Sequence, residues 1–298
     1  PSRLLYLNAY TQAHDIKEDI QQLHSTDQRR YPVPTTMEPG QRNANLGIFD
    51  VVFMTDYRFP GGTSSLTLRE IQIASDAGLR VGYIHAESPL NGPTHPVRAE
   101  LLEMQLRGIV TQVGLQDQAQ ISLLVVRHPS VVTYMDNVST NLDVKKTVLI
   151  INNPPILSGG EGMVFDLSAS VNHLESLVNG DVTVVAESGV TRSISAGLVG
   201  TNMLSESTWP GVIPLGKTVQ PDFNRTPIVG RHSRDHALKW PTTIEDFNSA
   251  YKSKTFETKI LGGASELIQK HGAALTTGIT VYEFGELDVA DFLSGLDF

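Results

Sequence analysis

The chain has 298 residues, of which 40% are hydrophobic and 18% are charged, a composition that excludes a largely disordered protein. Its formal net charge of −9 argues against nucleic acid or an anionic membrane as the main partner, because both attract basic surfaces. It contains no cysteine, which excludes disulfides, thiolate catalysis and cysteine-ligated metal centres.

Residues 1–48 are predicted to be an extension that packs on the first domain. A short strand is predicted at Arg3–Leu7, and apolar residues with helical spacing predict a helix at Asp15–Leu23. The first ten residues lack the features of a signal peptide, and no apolar run in the chain approaches the ~20 residues of a transmembrane helix. We therefore expect a cytoplasmic protein with, at most, peripheral membrane contact.

A regular alternation of strands and helices begins at Phe49, and we assign residues 49–222 to an N-terminal Rossmann-like domain on the acceptor side. Its strands are continuously apolar, which is typical of a parallel sheet covered on both faces. Thr63, Ser64 or Ser65 is predicted to cap the first helix. Strands are predicted at Asp50–Met54, Arg80–Ile84, Gly108–Val113, Ser122–Val126, Thr147–Ile151 and Val182–Ala186, and helices at 66–77, Pro96–Gln105, Asp166–Leu177 and Arg192–Leu198.

The proline- and glycine-rich segment Thr201–Arg225 is predicted to connect this domain to a second one, residues 223–298. Three strands are predicted there, at Pro227–Gly230, Phe256–Leu261 and Ile279–Phe284, and each is followed by a helix. The fold class is therefore α/β, with two doubly wound parallel sheets. We expect the second sheet to be incomplete in this chain, since three parallel strands make an undersized sheet.

Two literal motif matches are not expected to function. Gly211–Thr218 fits the Walker A expression, but its flanks show neither the preceding strand nor the following helix that a phosphate-binding loop needs. His232 and His236 are four residues apart but lack the glutamate of a zinc protease motif, and no two aspartates are spaced as in a metal–diphosphate anchor. We therefore predict no metal site.

Four features of the sequence are candidate ligand-binding or catalytic sites. The turn Gly61-Gly62 precedes a helix, where free amides and the helix dipole favour an anion, or the glycines only make a tight turn between strand and helix. Arg231 and Lys239 lie in the segment after the first strand of the second domain, where two cations either suit a diphosphate or belong to a solvated basic loop. His128 follows a buried strand, and a histidine there either binds a sugar oxygen or simply ends the strand. The same two readings hold for Glu187-Ser188.

Taken in order, these motifs resemble the GT-B glycosyltransferases, and most closely the retaining GT4-like group. Phe59–Thr63 resembles the family's N-terminal glycine loop, and Val229-Gly230-Arg231 with Lys239 resembles its diphosphate-binding segment. Ile260–Gly263 and Tyr282–Gly285 resemble the next two strand-to-helix turns. The resemblance covers about residues 49–298 and implies two Rossmann-like domains that face each other across a cleft.

The resemblance implies sugar transfer from a UDP- or GDP-linked donor to the hydroxyl of a glycan, lipid or small molecule, in cell-envelope or polysaccharide synthesis. It also implies that the transfer retains the configuration of the sugar and needs neither a metal nor a cofactor. Arg231 and Lys239 would stabilise the leaving diphosphate, His128 would contact the sugar, and Gly61, Gly62, Gly230 and Ser188 would line the donor site.

One family motif is absent, because no two glutamates in this sequence are eight positions apart. We therefore expect that the chain lacks part of the donor pocket and is inactive as it stands. Two alternatives stay open at this point. One is a module that binds a nucleotide or small ligand without catalysis, and the other is a GT-B nucleotide-sugar 2-epimerase.

Overall fold

The computed structural model describes residues 45–58, 61–90, 96–133, 135, 138–156, 162–199, 203–212 and 224–297. The strand and helix predicted within residues 1–44 lie outside the described residues. The chain divides into two compact units, and the second begins after Val212. Each unit contains one parallel sheet with helices, so the predicted α/β class is confirmed.

The sheet of the first unit has eight strands in the described residues, all of them parallel. Along the sheet the order is β3-β2-β1-β4-β6-β7-β8, and β5 pairs with β4 beside this path. The order reverses between β1 and β4, as in doubly wound nucleotide-binding folds. The strands are β1 (Asn45–Thr55), β2 (Val81–His85), β3 (Thr111–Gln112), β4 (Gln118–Arg127), β5 (Leu142–Val144), β6 (Thr147–Ile151), β7 (Val182–Ala186) and β8 (Leu204–Thr208).

In the described part of the first unit, four helices flank this sheet: α1 (Gly62–Asp76), α2 (Ala99–Leu106), α3 (Leu167–Val178) and α4 (Gly189–Val199). The predicted cap of α1 is wrong. Gly61 occupies the N-cap position with extended backbone and no side chain caps it, so Thr63–Ser65 lie inside the first turn. Asp166 caps α3 by accepting from the amide of Ala169 at 2.9 Å. Gly78 follows the C-cap residue Ala77 and adopts a φ of +81° that favours glycine, which ends α1.

Two apolar clusters cover the two faces of the first sheet, which explains why its central strands are continuously apolar. On β4, for example, Leu124 and Val126 belong to one cluster and Val125 to the other. This alternation places Arg127, the last residue of β4, on the same face as Val125. That face is the one covered by α1 through Leu68 and Ile71.

Two strands were not predicted. β5 has only three residues, and β8 lies within the segment that the sequence assigned to a connection. β8 pairs with β7 at the edge of the sheet and buries only Leu204 of its five residues. An edge strand with one buried residue has no apolar alternation for a sequence pattern to detect. The connection predicted over Thr201–Arg225 is therefore wrong for Leu204–Thr208.

Among its described residues, the second unit contains the three parallel strands that were predicted, and the structure places them in the order β11-β10-β9. Its apolar cluster is built around Trp240, Phe247, Ile260 and Leu267. Thr243 caps the first helix by accepting from the amide of Asp246. The elements are β9 (Ile228–His232), α5 (Ile244–Tyr251), β10 (Glu257–Leu261), α6 (Ser265–His271), β11 (Thr280–Tyr282) and α7 (Val289–Ser294), with a 3-10 turn at Ala237–Lys239.

Candidate functional site

The residues that follow the central strands of the first sheet are polar. Asp56 follows β1, His128 follows β4, Asn152 follows β6 and Glu187 follows β7. Backbone hydrogen bonds keep these ends in register, since His128 donates to the carbonyl of Ile150. The carboxyl edge of a doubly wound sheet, and above all its reversal point between β1 and β4, is where such folds bind ligands.

His128 is partly exposed at this edge and adopts a φ of +76°, which is uncommon for a residue with a side chain. Its Nδ1 lies 2.7 Å from the hydroxyl of Ser130 and accepts from the Ser130 amide at 3.3 Å. Its ring packs edge-on against Phe165, with 5.4 Å between the ring centroids. Burial lowers the pKa of His128 to about 4, so the imidazole is neutral near pH 7.

A buried ion pair supports the loops beside His128. Asp56 accepts from Nε and Nη2 of Arg58 at 3.0 and 2.9 Å, and both side chains are 5% exposed. The same carboxylate accepts from the amide of Ser88 at 2.9 Å. The segment after β1 is thereby joined to the segment after β2.

The N-terminus of α1 lies beside the reversal point, as expected for a helix that follows β1. A Cβ on Gly62 would meet nothing within 4 Å, and the backbone there does not have a positive φ. Neither packing nor strain therefore requires glycine at this position. Arg98 donates to the hydroxyls of Ser64 and Ser65 and forms an ion pair with Glu100.

A buried ion pair that the sequence did not reveal joins β4 to α1. Arg127 is fully buried, and its Nη2 donates to Oε1 of Glu70 at 2.5 Å. The indole of Trp209 donates to the same oxygen at 3.0 Å. Nη1 of Arg127 lies 4.0 Å from Oε1 of Glu187, and Oε2 of that carboxylate accepts from Asn152 at 2.9 Å. The cluster thus connects the ends of four strands.

The hydroxyl of Ser188, a predicted donor-site residue, is engaged within its own chain. It accepts from the amide of Thr191 at 3.2 Å and lies 3.0 Å from the hydroxyl of that residue. Ser188 therefore caps α4. Its neighbour Glu187 keeps a partly exposed side chain at the carboxyl edge of the sheet.

In the second unit the structure brings Arg231 and Lys239 together. Arg231 lies within β9 rather than in the loop after it, which corrects its predicted position. Its Nη2 donates to the backbone carbonyl of Lys239 at 2.8 Å, and its guanidinium lies over the ring of Trp240, 3.7 Å from the centroid. Nη1 of Arg231 is buried without a hydrogen-bond partner, whereas the Lys239 side chain is exposed. Burial lowers the pKa of Arg231 from its ordinary value, although an arginine stays charged near pH 7.

The glycine at position 230 has a structural explanation. A Cβ there would lie 2.0 Å from the side chain of Leu296, so the close approach is made by the chain's own C-terminal segment. This packing accounts for Gly230 without a ligand. Its predicted role in the donor site stays a prediction.

Two further expectations concern absent features. The sequence predicts no strand before the Walker A match Gly211–Thr218, and this prediction is wrong, because β8 precedes the motif. Residues 213–218 of that motif lie outside the described residues. Within the described ranges, no group of three or more His, Asp and Glu side chains is placed to hold a metal ion. Nor does any helix there have the length and apolarity needed to cross a membrane.

Comparison with known proteins gives a likeness of structure and none of sequence. No protein family and no curated protein sequence matches the chain. Its structure is similar to the crystal structure of Anabaena HepE (Alr3699) in complex with UDP and glucose, with a TM-score of 0.52 and 11% sequence identity. The match covers 84% of this chain and 73% of the HepE chain. At this identity the likeness shows a common fold, in agreement with the predicted Rossmann-like architecture.

Proposed function

We propose that this protein is a GT-B glycosyltransferase that moves a sugar from a UDP- or GDP-linked donor to an acceptor hydroxyl. The observation that carries the proposal is the contact between Arg231, near the end of β9, and Lys239, in the 3-10 turn that follows this strand. Arg231 is fixed by the indole of Trp240 and by the carbonyl of Lys239, and its Nη1 is a buried donor without a hydrogen-bond partner. The structural likeness to a protein solved with UDP and glucose supports the choice of ligand.

The two cations would act on the leaving group. As the bond between the sugar and the diphosphate breaks, negative charge grows on the diphosphate oxygens. A guanidinium held in place beforehand stabilises that charge without reorganising during the reaction. The exposed ammonium of Lys239 would add a second positive charge. Retention of configuration, and catalysis without a metal or cofactor, belong to the same proposal.

In this proposal the first unit would contact the sugar and bind the acceptor. The open space above Gly62 lets a ligand approach the α1 amides, and His128 supplies a neutral imidazole at the reversal point of the sheet. We place the acceptor on this unit and propose a glycan, a lipid or a small molecule in cell-envelope or polysaccharide synthesis. The cytoplasmic location predicted from the sequence is part of this proposal.

Isothermal titration of this chain with UDP and with GDP tests the proposal. Arg231→Ala should weaken nucleotide binding about 10- to 150-fold, since a hydrogen bond to a charged group contributes about 1.5–3 kcal/mol. Lys239→Ala should weaken it less, by about 3- to 10-fold, because an exposed ion pair contributes about 1 kcal/mol. Lys270→Ala is the matched control, because this exposed lysine lies in the last turn of α6, away from the carboxyl edge.

Binding of neither nucleotide to the folded chain would contradict the proposal, as would equal affinity in the Arg231→Ala and Lys270→Ala variants. Turnover of UDP-glucose with and without acceptor hydroxyls then separates the possible reactions. Product formed only with an acceptor supports a glycosyltransferase, and an altered sugar formed without one indicates an epimerase.

A further inference from the structure

We propose that Ser130 and Ser88 are positioning residues that hold His128 as the neutral tautomer with its proton on Nε2. The proposal rests on the proposed function only for the identity of the ligand that His128 meets. The tautomer itself follows from the hydrogen bonds around the ring. It determines whether His128 offers a hydrogen-bond donor or an acceptor to that ligand.

The direction of one hydrogen bond fixes the ring. The backbone amide of Ser130 points at Nδ1 of His128 at 3.3 Å, and an amide N–H can only donate. Nδ1 must therefore carry a lone pair, and in a neutral imidazole the proton is then on Nε2. The Ser130 hydroxyl, 2.7 Å from the same Nδ1, must donate as well.

The serine pair continues this direction. The Ser130 hydroxyl donates its hydrogen bond to His128. Its oxygen therefore accepts from the Ser88 hydroxyl, whose oxygen lies 2.6 Å away. The oxygen of Ser88 also accepts from the amide of Leu90 at 3.2 Å, and this acceptor role leaves its own proton available for Ser130. Each donor in this chain of hydrogen bonds therefore points the same way, from Leu90 through Ser88 and Ser130 to Nδ1 of His128.

Burial stabilises the hydrogen bonds between Ser88, Ser130 and His128. Ser88 is 6% exposed and Ser130 is 2% exposed, so water scarcely competes for their hydroxyls. The amide of Ser88 is held by Asp56, which is itself bound by Arg58. Phe165 packs against the imidazole from the side and restricts its rotation.

The consequence concerns the ligand. Nε2 has no hydrogen-bond partner among the described residues, and in this tautomer it is a donor. Since burial keeps the ring neutral near pH 7, the group is neither an imidazolium acid nor a base at Nε2. The ligand atom that meets it must be an acceptor, such as a hydroxyl, carbonyl or phosphoryl oxygen of a nucleotide sugar. His128 therefore selects and orients the substrate and does not transfer its proton.

Nitrogen-15 NMR of the full chain labelled at histidine tests the tautomer directly. In the unaltered protein at pH 7, His128 should show a protonated Nε2 and an unprotonated Nδ1. Ser130→Ala removes the hydroxyl donor but keeps the backbone amide at Nδ1, so it should populate the other tautomer in part, and Ser88→Ala should do so to a smaller extent. Ser195→Ala is the matched control, because Ser195 is a fully buried serine on α4 whose hydroxyl has no partner.

Titration with UDP-glucose gives the functional readout. Ser130→Ala should raise the Kd by about 3- to 10-fold, the loss expected for one misdirected hydrogen bond, while Ser195→Ala leaves it unchanged. A proton on Nδ1 of the unaltered protein, or spectra of Ser130→Ala and Ser195→Ala that both match it, would overturn the proposal. If UDP-glucose does not bind at all, the proposed function fails, whereas the tautomer is still decided by the spectra.

Discussion

The guanidinium of Arg231 stacks on the indole ring of Trp240, with its central carbon 3.7 Å from the ring centroid. The indole is fixed in turn, because its Nε1 donates to Oδ1 of Asp235 at 2.7 Å. Oδ2 of Asp235 accepts from the amide of Glu266 in the first turn of α6 at 2.9 Å. The orientation of the candidate diphosphate-binding arginine thus depends on a chain of contacts that begins at a neighbouring helix.

Replacing Trp240 by phenylalanine should weaken UDP binding while Arg231 is still present. The smaller ring makes a poorer cation–π contact and loses the hydrogen bond to Asp235, so Arg231 samples more orientations. A loss of about 0.5–1 kcal/mol corresponds to about a 2- to 5-fold higher Kd. Calorimetric titration measures it. An unchanged Kd in a variant with unchanged melting temperature would show that the stacking does not position Arg231 for the nucleotide.

Removing one partner of the buried Arg127–Glu70 pair should lower the free energy of unfolding far more than removing both partners. Arg127→Met leaves the Glu70 carboxylate buried with only the Trp209 indole as a hydrogen-bond partner. Removing one partner of a buried pair costs about 3–5 kcal/mol. Urea unfolding should show this loss in the free energy of unfolding.

A double variant is the control for this prediction. Arg127→Met combined with Glu70→Leu removes both charges and should recover most of the stability, because paired apolar replacements of buried ion pairs are often neutral. A double variant as unstable as the sum of the two single variants would indicate that the two side chains act independently.

The sequence predicted most of the fold because its central strands are buried on both faces. β6 and β7 were predicted with their observed bounds, since each is a short run of apolar, mostly β-branched residues. β5 and β8 were missed for the opposite reason, because three residues or a single buried leucine give no periodic signal. The cap of α1 was missed because the turn uses glycine backbone instead of a serine side chain.

The candidate site was less predictable because its contacts join distant parts of the chain. Glu70 and Arg127 are 57 residues apart, and Trp209 lies 139 residues after Glu70. A local motif cannot show that their side chains meet. By contrast, His128, Arg231 and Lys239 could be identified as candidates, because position relative to a buried strand is a local property. The stacking of Arg231 on Trp240, nine residues later, was visible only in the structure.

Two glycines of the predicted donor site should respond differently to alanine. Gly62→Ala places its methyl group in open space, so stability should be unchanged or higher by up to about 1 kcal/mol. If a nucleotide sugar approaches the α1 amides, the same methyl group should raise its Kd. Gly230→Ala should instead destabilise by about 1–3 kcal/mol, because its Cβ would lie 2.0 Å from Leu296. Thermal unfolding and UDP-glucose titration on both variants check these outcomes.

The partly buried imidazole of His128 makes the free energy of unfolding depend on pH with a defined sign. Its folded pKa is about 4, whereas an unfolded histidine titrates near ~6.5, so the unfolded chain binds more protons between these values. The contribution is therefore fully present above about pH 6.5 and decreases as the pH falls towards 4. Between pH 7 and 4.5 the unaltered protein should lose about 2–3 kcal/mol more than His128→Gln in urea unfolding. His232→Gln replaces an exposed histidine and should lose as much free energy of unfolding as the unaltered protein over this pH range. Equal losses in the unaltered protein and in both variants would contradict the prediction, because they would show that the imidazole of His128 is exposed to water.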